Sequence, residues 1–227
     1  MNLIFQTIPS PLVSELLSKS DLDGIILDTE HGCFNNETLY SCIQVITLSN
    51  KKCFVRFTDL NKQLVRMCLD AGIDGVIFST IEHVEYAKEL IKFCTYPSQN
   101  GKRGCGLVRS NGWGNKKLDE HKPLIIGQIE TSTAVEKIRE LYEESNLDFF
   151  IIGPYDISSS LNIPGQFDNK IYLEYIERIY KVIPLNKLGI FLPYEYNVNN
   201  KIKKINHYIS ILGLDTDIIL NSLKNIK

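Results

Sequence analysis

The chain alternates short apolar runs with longer stretches in which apolar residues recur at helical spacing. Eight apolar runs predict β-strands, at residues 3–5, 24–28, 53–57, 75–78, 124–129, 149–152, 188–192 and 208–212. Most of these runs are continuously apolar and do not alternate with polar residues. Such continuity is typical of parallel strands that are covered on both faces of the sheet.

Helical spacing predicts helices between most of these strands, at residues 37–48, 62–71, 84–94 and 171–183, with a further helix opening over 131–136. Gly72 is the predicted C-cap of the second helix, and Thr133 with Glu136 forms a predicted capping box. Eight strand–helix units favour an α/β fold, a (β/α)8 TIM barrel, over an open doubly wound sheet. The 227 residues suit one such domain, spanning residues 1–227.

Composition places the chain among ordinary globular proteins, with 44% hydrophobic and 23% charged residues. The net charge of −2 lacks the basic surplus that is typical of nucleic-acid binding. The sequence contains no run of 18 apolar residues, so it predicts no membrane span. The N-terminal segment lacks the positive charge of a secretory signal. The six cysteines form no CxxC pair, so we expect reduced thiols and a cytoplasmic protein.

Several common catalytic motifs are absent from the sequence. No GxGxxG follows a predicted strand, and the glycine-rich segment 101–114 lacks P-loop spacing, which disfavours a nucleotide site. No GxSxG occurs, which disfavours a serine triad. No lysine lies within a predicted strand, which disfavours Schiff-base chemistry.

Polar residues that directly follow the apolar runs are the candidates for a site, because active sites of such barrels lie at the carboxyl ends of the strands. Glu130 and Asp156 follow two neighbouring strands. Two carboxylates with space for water suit Mg²⁺ or Mn²⁺. Either carboxylate alone is more often a helix cap or a surface acid.

Two further candidates are a histidine and an arginine. His31 follows Asp28 by three residues, and a carboxylate can orient an imidazole as a general base, although the pattern also fits a hydrogen-bonded loop histidine. Arg56 lies within the apolar run 53–57, where a guanidinium needs an anionic partner. That partner is either a substrate carboxylate or enolate oxygen, or a carboxylate of the protein itself.

Seven segments together resemble the HpcH/HpaI aldolase family of metal-dependent pyruvate aldolases. They are LDGIILDTEHG at 22–32, FVRFT at 54–58, LDAGIDGVIFSTIEHVEYAKELI at 69–91, YPSQNGKRGCGLVRSNGWG at 96–114, IIGQIET at 125–131, IIGPYDISSSLNIPGQFD at 151–168 and LGLDTDIIL at 212–220. The resemblance covers nearly the whole chain, and its EHG, QIE and GP-x-D-x-S…PGQF segments are specific in this order. It implies a (β/α)8 barrel that forms a homo-oligomer, a trimer or a hexamer.

The resemblance implies a set of catalytic roles. Glu130 and Asp156 would bind a divalent cation, Mg²⁺, Mn²⁺ or Co²⁺. His31 would act as the acid and base through metal-bound water. Asp28 would support His31, and Asp70 of a neighbouring subunit would join them.

The resemblance also implies the substrate contacts. Arg56 would hold the carboxylate and carbonyl of pyruvate and stabilise its enolate, while Gln128 would line the pocket. Backbone amides around Tyr155 and Asp156 would bind the substrate carboxylate. Tyr155 stands where relatives often carry a smaller residue, so we expect a narrower pocket. The chain ends soon after Leu223, so the exchange of a long C-terminal helix, frequent in the family, is not implied here.

These features predict a carbon–carbon lyase, a metal-dependent aldolase that cleaves or forms a 4-hydroxy-2-oxo acid from pyruvate and an aldehyde. An acyl-CoA lyase of the citrate-lyase-β type is one alternative. It would need cations for the CoA phosphates, for which Arg103 and Arg109 are the candidates. A barrel that binds a keto acid without catalysis is the other alternative, and the presence of every expected catalytic residue argues against it.

Overall fold

The computed structural model describes residues 1–192 and 207–226. Eight strands, all parallel to their neighbours, close into a barrel in chain order, with the first strand paired to the last. The strands are β1 Asn2–Gln6, β2 Gly24–Asp28, β3 Lys52–Phe57, β4 Gly75–Phe78, β5 Leu124–Ile129, β6 Phe149–Ile152, β7 Leu188–Phe191 and β8 Ile209–Leu214. The predicted (β/α)8 TIM barrel is therefore confirmed.

Helices follow the strands and cover the outside of the barrel. The α-helices are α1 Pro11–Ser18, α2 Asn36–Leu48, α3 Lys62–Ala71, α4 Val84–Cys94, α5 Ser132–Glu136, α6 Ile138–Glu144, α7 Pro154–Ser160, α8 Lys170–Val182 and α9 Asp215–Lys224. Short 3₁₀ helices span Pro97–Gln99, Arg109–Gly114 and Leu185–Lys187. Gly72 caps α3 in the left-handed region with φ 88°, as predicted.

The start of α5 differs from the prediction. Thr131 is the N-cap, because its extended backbone lets its side chain accept a hydrogen bond from the backbone N–H of Ala134. Thr133 lies inside the helix, so the predicted capping box of Thr133 with Glu136 is wrong.

The strand side chains fill two separate cores, which explains why the runs are continuously apolar. Outward side chains pack beneath the helices. Inward side chains fill the barrel with Leu3, Phe5, Ile26, Phe54, Ile77, Ile126, Ile151, Ile209 and Ile211. Two positions further along their strands, the inward residues become Asp28, Arg56 and Gln128, all buried. The polar site therefore stands on top of a packed apolar plug.

The six cysteines are unpaired, with Cys33 and Cys105 exposed and the other four buried, in agreement with the predicted reduced thiols. Within residues 1–192 and 207–226, no helix has both the length and the apolar character needed to cross a bilayer.

Candidate functional site

A cavity of about 450 Å³ opens at the carboxyl ends of the strands, a size typical of small-molecule sites. Its lining comes from the ends of five strands, from the loops and helices that follow β2 and β6, and from α9. The lining residues are Phe5, His31, Arg56, Gln128, Gly153, Pro154, Tyr155, Asp156, Phe191, Leu214 and Asp217. The structure thus brings His31, Arg56, Gln128, Tyr155 and Asp156, all predicted site residues, to one cavity.

Arg56 is a charged group fixed inside the barrel mouth. Its Nε and Nη2 donate to the two carboxylate oxygens of Asp28 at 2.9 and 2.6 Å. Its Nη1 lies 2.9 Å from Oε2 of Glu30, and the guanidinium lies 4.4 Å from the centre of the Phe5 ring. Burial alone would lower the pKa of Arg56, but the hydrogen bonds and charges of Asp28 and Glu30 outweigh it and raise the pKa. The guanidinium of Arg56 therefore stays charged although it is buried.

Asp28 serves Arg56 and the backbone, whereas we expected it to support the His31 ring. Besides Arg56, Asp28 Oδ1 accepts hydrogen bonds from the backbone N–H groups of Glu30 and His31, at 3.1 and 3.4 Å. The reason is register, because Asp28 and Arg56 are directly paired positions of β2 and β3 and both point inward. Asp28 therefore positions His31 through its main chain only.

His31 is exposed at the cavity mouth. Within the described part of the chain, no hydrogen bond to its imidazole is found. The ring is therefore accessible to a substrate or to a group from a second molecule.

Glu130 is a buried carboxylate, 4% exposed, held by one neighbour. Its Oε2 accepts from both the backbone N–H and the hydroxyl of Thr80, at 2.8 and 2.9 Å. Burial raises the pKa of Glu130 to about 7, and the nearby charges of Glu30 and Asp156 add to that rise. A cation between these carboxylates would remove the repulsion.

The donor set beside Glu130 fits a hard divalent cation. Thr80 occupies Oε2 of Glu130 and leaves Oε1 for a ligand. Asp156 supplies a second carboxylate in the cavity lining, and the buried Oε1 of Gln128 has no hydrogen-bond partner. No group of three or more acidic, histidine or cysteine side chains suited to a metal ion is found among the described residues, so water and substrate would complete the shell.

Gly153 keeps space open between these donors. A Cβ atom at Gly153 would lie 2.8 Å from Glu130 Cγ, 3.1 Å from Gln128 Nε2 and 3.2 Å from Glu130 Oε1. The backbone of Gly153, with φ −96°, is available to any residue, so the requirement for glycine is steric.

Three predicted site residues are not part of the cavity lining. Asp28 and Glu130 lie directly behind it, against Arg56 and Gly153, whereas Asp70 lies away from it.

Asp70 lies in the last turn of α3, whose C-terminus leads to the amino end of β4, and pairs with Arg103 at 3.0 Å. Arg103 also bonds His121 and lies over the Tyr96 ring. Only a second copy of the chain could bring Asp70 to the cavity.

The two arginines considered for CoA phosphates are engaged elsewhere. Arg103 is buried against Asp70, and Arg109 donates to the carbonyl of Ala71 and the hydroxyl of Thr47. One lysine does occur within a strand, because β3 begins at Lys52, earlier than predicted. Lys52 lies at the amino end of β3, paired with Asp74 at 2.6 Å, and so faces away from the cavity mouth.

Sequence reasoning missed several residues of the site. Glu30 and Thr80 contact the polar side, and Phe5, Phe191, Leu214 and Asp217 line the cavity. Phe5 and Phe191 could have been found, because they occupy inward positions near the carboxyl ends of their strands. Asp217 could also have been found, because it lies in LGLDTDIIL, one of the segments that carry the family resemblance.

Comparisons with known proteins show one family. The model of the HpcH/HpaI aldolase/citrate lyase family matches residues 2–221. A 2-keto-3-deoxy-L-rhamnonate aldolase of Salmonella paratyphi A is 26% identical over 220 residues, which is 94% of this chain and 82% of that protein.

Solved structures show the same barrel. An HpcH/HpaI aldolase/citrate lyase family protein from Burkholderia cenocepacia J2315 superposes with a TM-score of 0.88 at 21% identity, over 99% of this chain and 91% of that chain. The citrate synthase SbnG superposes with a TM-score of 0.83 at 26% identity, over 98% and 89% of the two chains.

Proposed function

Since the chain belongs to the HpcH/HpaI aldolase/citrate lyase family, we propose that it is a metal-dependent aldolase acting through the enolate of pyruvate. The enzyme class is that of the family, a carbon–carbon lyase, as predicted. The proposed reaction cleaves or forms a 4-hydroxy-2-oxo acid. The observation that carries the proposal is that Glu130, Asp156, the unpartnered Oε1 of Gln128 and the fixed guanidinium of Arg56 are at one end of the barrel, where Glu130 and Asp156 interact electrostatically.

Glu130 and Asp156 would hold the divalent cation, with the Oε1 of Gln128 beside them. When bound, Mg²⁺, Mn²⁺ or Co²⁺ supplies electrophilic stabilisation of the negative charge that develops on the enolate oxygen. Gly153 keeps the carboxylate of Glu130 accessible, since any side chain there would overlap it.

Arg56 would bind the pyruvate half. Asp28 and Glu30 use at most three of its five N–H groups, which leaves at least two for a substrate carboxylate or carbonyl. Because the two carboxylates already fix the guanidinium, little reorganisation is needed when charge develops, which is how such groups lower a barrier.

His31 would move the proton. In the cleavage direction it would take the proton of the 4-hydroxyl group as the carbon–carbon bond breaks and return a proton to C3 of the enolate. In the other direction it would remove a proton from C3 of pyruvate and return one to the new 4-oxygen. Its exposed ring, without an orienting side chain in the described chain, supports an added role for Asp70 of a neighbouring subunit, in a trimer or hexamer.

Exchange of deuterium into the methyl group of pyruvate, followed by NMR, tests the proposal without an aldehyde. We expect exchange with Mg²⁺ or Mn²⁺ and none with a chelator. Absence of exchange with every metal tested would overturn the proposal. Borohydride reduction with pyruvate should trap no covalent adduct, because no lysine amine lines the cavity among the described residues.

The two alternatives have less support. An acyl-CoA substrate needs cations for its phosphates, yet Arg103 and Arg109 are bound to other groups and Arg56 is the sole lysine or arginine in the described cavity lining. A barrel that only binds a keto acid would show pyruvate affinity and no exchange.

A further inference from the structure

The cavity has a wall that the proposed chemistry does not use. Beside the polar groups, the side chains of Phe5, Tyr155, Phe191 and Leu214 line the same space. The ring of Phe191 lies 5.7 Å from the ring of Phe5 in an edge-to-face contact and 6.3 Å from the ring of Tyr155. Leu214 is the pairing partner of Phe5 in the neighbouring strand, and these four side chains are here named the apolar wall.

The apolar wall is preformed. Phe5, Phe191 and Leu214 stand on β1, β7 and β8, so their backbones are fixed by the sheet. Phe5 is buried and packs against the guanidinium of Arg56. The ring of Tyr155 is supported from behind by Phe167, at 5.1 Å in an edge-to-face contact. A rigid apolar surface costs little entropy to bind against and favours apolar ligand groups.

The charges around the cavity select against a second acidic group on the substrate. Asp217, in the first turn of α9, also lines the cavity and is not one of the residues that would bind the cation. Its Oδ1 accepts a hydrogen bond at 2.7 Å from Asn221, and within residues 1–192 and 207–226 no lysine or arginine is paired with its carboxylate. Arg56 is the sole lysine or arginine in the described lining, and it already faces two carboxylates.

We propose that the acceptor half of the substrate is an uncharged, apolar aldehyde that packs on the apolar wall, and that Asp217 disfavours acidic acceptors. The inference rests on the proposed function, because pyruvate must occupy the polar side of the cavity. Hydroxyl groups on the acceptor would lose water against Phe5, Phe191 and Leu214, whose side chains carry no hydrogen-bonding group, and a carboxylate would meet Asp217.

Two matched pairs of aldehydes test the proposal on the unmodified enzyme with pyruvate and Mn²⁺. Propanal and glyceraldehyde share three carbons and differ in two hydroxyl groups. Butanal and succinic semialdehyde share four carbons and differ in one carboxylate. We expect kcat/KM for aldol formation to favour the apolar member of each pair at least fivefold. A smaller preference in either pair, or its reversal, would overturn the proposal.

Two variants identify the side chains responsible. Asp217→Asn keeps an oxygen for Asn221 and removes the charge, so it should narrow the preference for butanal over succinic semialdehyde at least threefold. The exposed Asp21→Asn is the matched control and should leave that ratio unchanged. Phe191→Ala should narrow the preference for propanal over glyceraldehyde, whereas Phe191→Leu should preserve it. A ratio that does not move in Asp217→Asn excludes Asp217 as a specificity residue.

Failure of this inference is distinguishable from failure of the proposed function. Metal-dependent deuterium exchange of pyruvate needs no acceptor, so its absence rejects the proposed function. Exchange that is present, combined with equal rates for the paired aldehydes, rejects the apolar acceptor alone.

Discussion

Thr80 holds Glu130 at a cost in backbone strain. It is a β-branched residue with φ 53°, in the left-handed region that such residues rarely adopt. In this conformation its N–H and its hydroxyl both reach the same carboxylate oxygen. The strained turn therefore orients the other oxygen, Oε1, for a ligand.

Removal of that hydroxyl should weaken metal binding. Thr80→Val keeps the shape and the backbone donor, and we expect about tenfold lower affinity for Mn²⁺ by calorimetry, the usual effect of losing a group that orients a ligand. Thr80→Ser should stay near the unmodified affinity. Thr58→Val, an exposed threonine at the same end of the barrel, is the control. Equal affinity in Thr80→Val and the unmodified protein would contradict this role.

The raised pKa of Glu130 makes stability depend on pH when no divalent cation is present. Its pKa is about 7 in the folded chain against an ordinary value of 4.5, so the folded state holds the proton more tightly than the unfolded state. The resulting stabilisation is complete below pH 4.5 and is lost as the pH rises through 7. Its upper limit is about 3 kcal/mol.

Urea unfolding in a chelator between pH 5 and pH 8 measures this effect. We expect the free energy of unfolding to fall with rising pH in the unmodified protein more steeply than in Glu130→Gln, which cannot titrate at this position. Added Mg²⁺ should restore stability at pH 8. Identical pH slopes for the two proteins would show that Glu130 keeps an ordinary pKa.

Variants of the Arg56–Asp28 ion pair allow the effect of Arg56 on stability to be measured separately from its effect on activity. Arg56→Ala should abolish pyruvate exchange, but it also leaves Asp28, fully buried, without its partner, which typically costs about 3–5 kcal/mol. In the double variant Asp28→Asn with Arg56→Ala, we expect thermal and urea stability to recover in large part and exchange to remain absent. Recovery of exchange together with stability would mean that Arg56 is structural.

At the scale of elements, the junction between β6 and α7 decides whether Glu130 is accessible. Gly153→Ala should displace the Glu130 side chain and lower Mn²⁺ affinity at least tenfold, with little loss of secondary structure by circular dichroism. Gly104→Ala is the matched control, because a Cβ there would meet no atom within 4 Å. Full metal affinity in Gly153→Ala would show that the site tolerates the methyl group.

Element positions were largely predictable because barrel strands are buried on both faces. The bounds of β2, β4, β5 and β6 match their predictions. The helix α1 was missed because it is short and opens with a proline, which is favourable only at a first helical turn. The bounds of these strands therefore followed from the pattern of apolar residues. Helix caps and short helices depend on single contacts, which that pattern does not reveal.

The sequence predicted which residues lie at the candidate site better than it predicted the contacts between them. Strand ends identified His31, Arg56 and Asp156, because all inward polar residues of a barrel meet at one end. The side chain that Asp28 binds depends on which residue of β3 is paired with Asp28 of β2. This strand register cannot be read from a single sequence. The contact of Thr80 with Glu130 requires the backbone of Thr80 to lie in the left-handed region, which threonine rarely adopts.

At the scale of the whole molecule, Asp70 is on the far end of the barrel from the cavity. If Asp70 serves a neighbouring subunit, the inactive variants His31→Ala and Asp70→Ala should restore activity when they assemble together. Co-expression with two affinity tags, isolation of mixed oligomers and an aldol assay measure this. Mixed oligomers that stay inactive would assign Asp70, with Arg103, a structural role within one chain.

The division of the cavity into a polar side and an apolar wall has a consequence for how the enzyme can change over generations. Arg56 and Glu130, which would hold pyruvate and the cation, are buried and bonded to neighbouring residues, so most replacements there would be lost to misfolding. Leu214 and Asp217 are partly exposed, and in the described part of the chain neither is hydrogen-bonded to those two residues. New aldehyde preferences can therefore arise by single replacements on one side, with the inherited chemistry intact on the other.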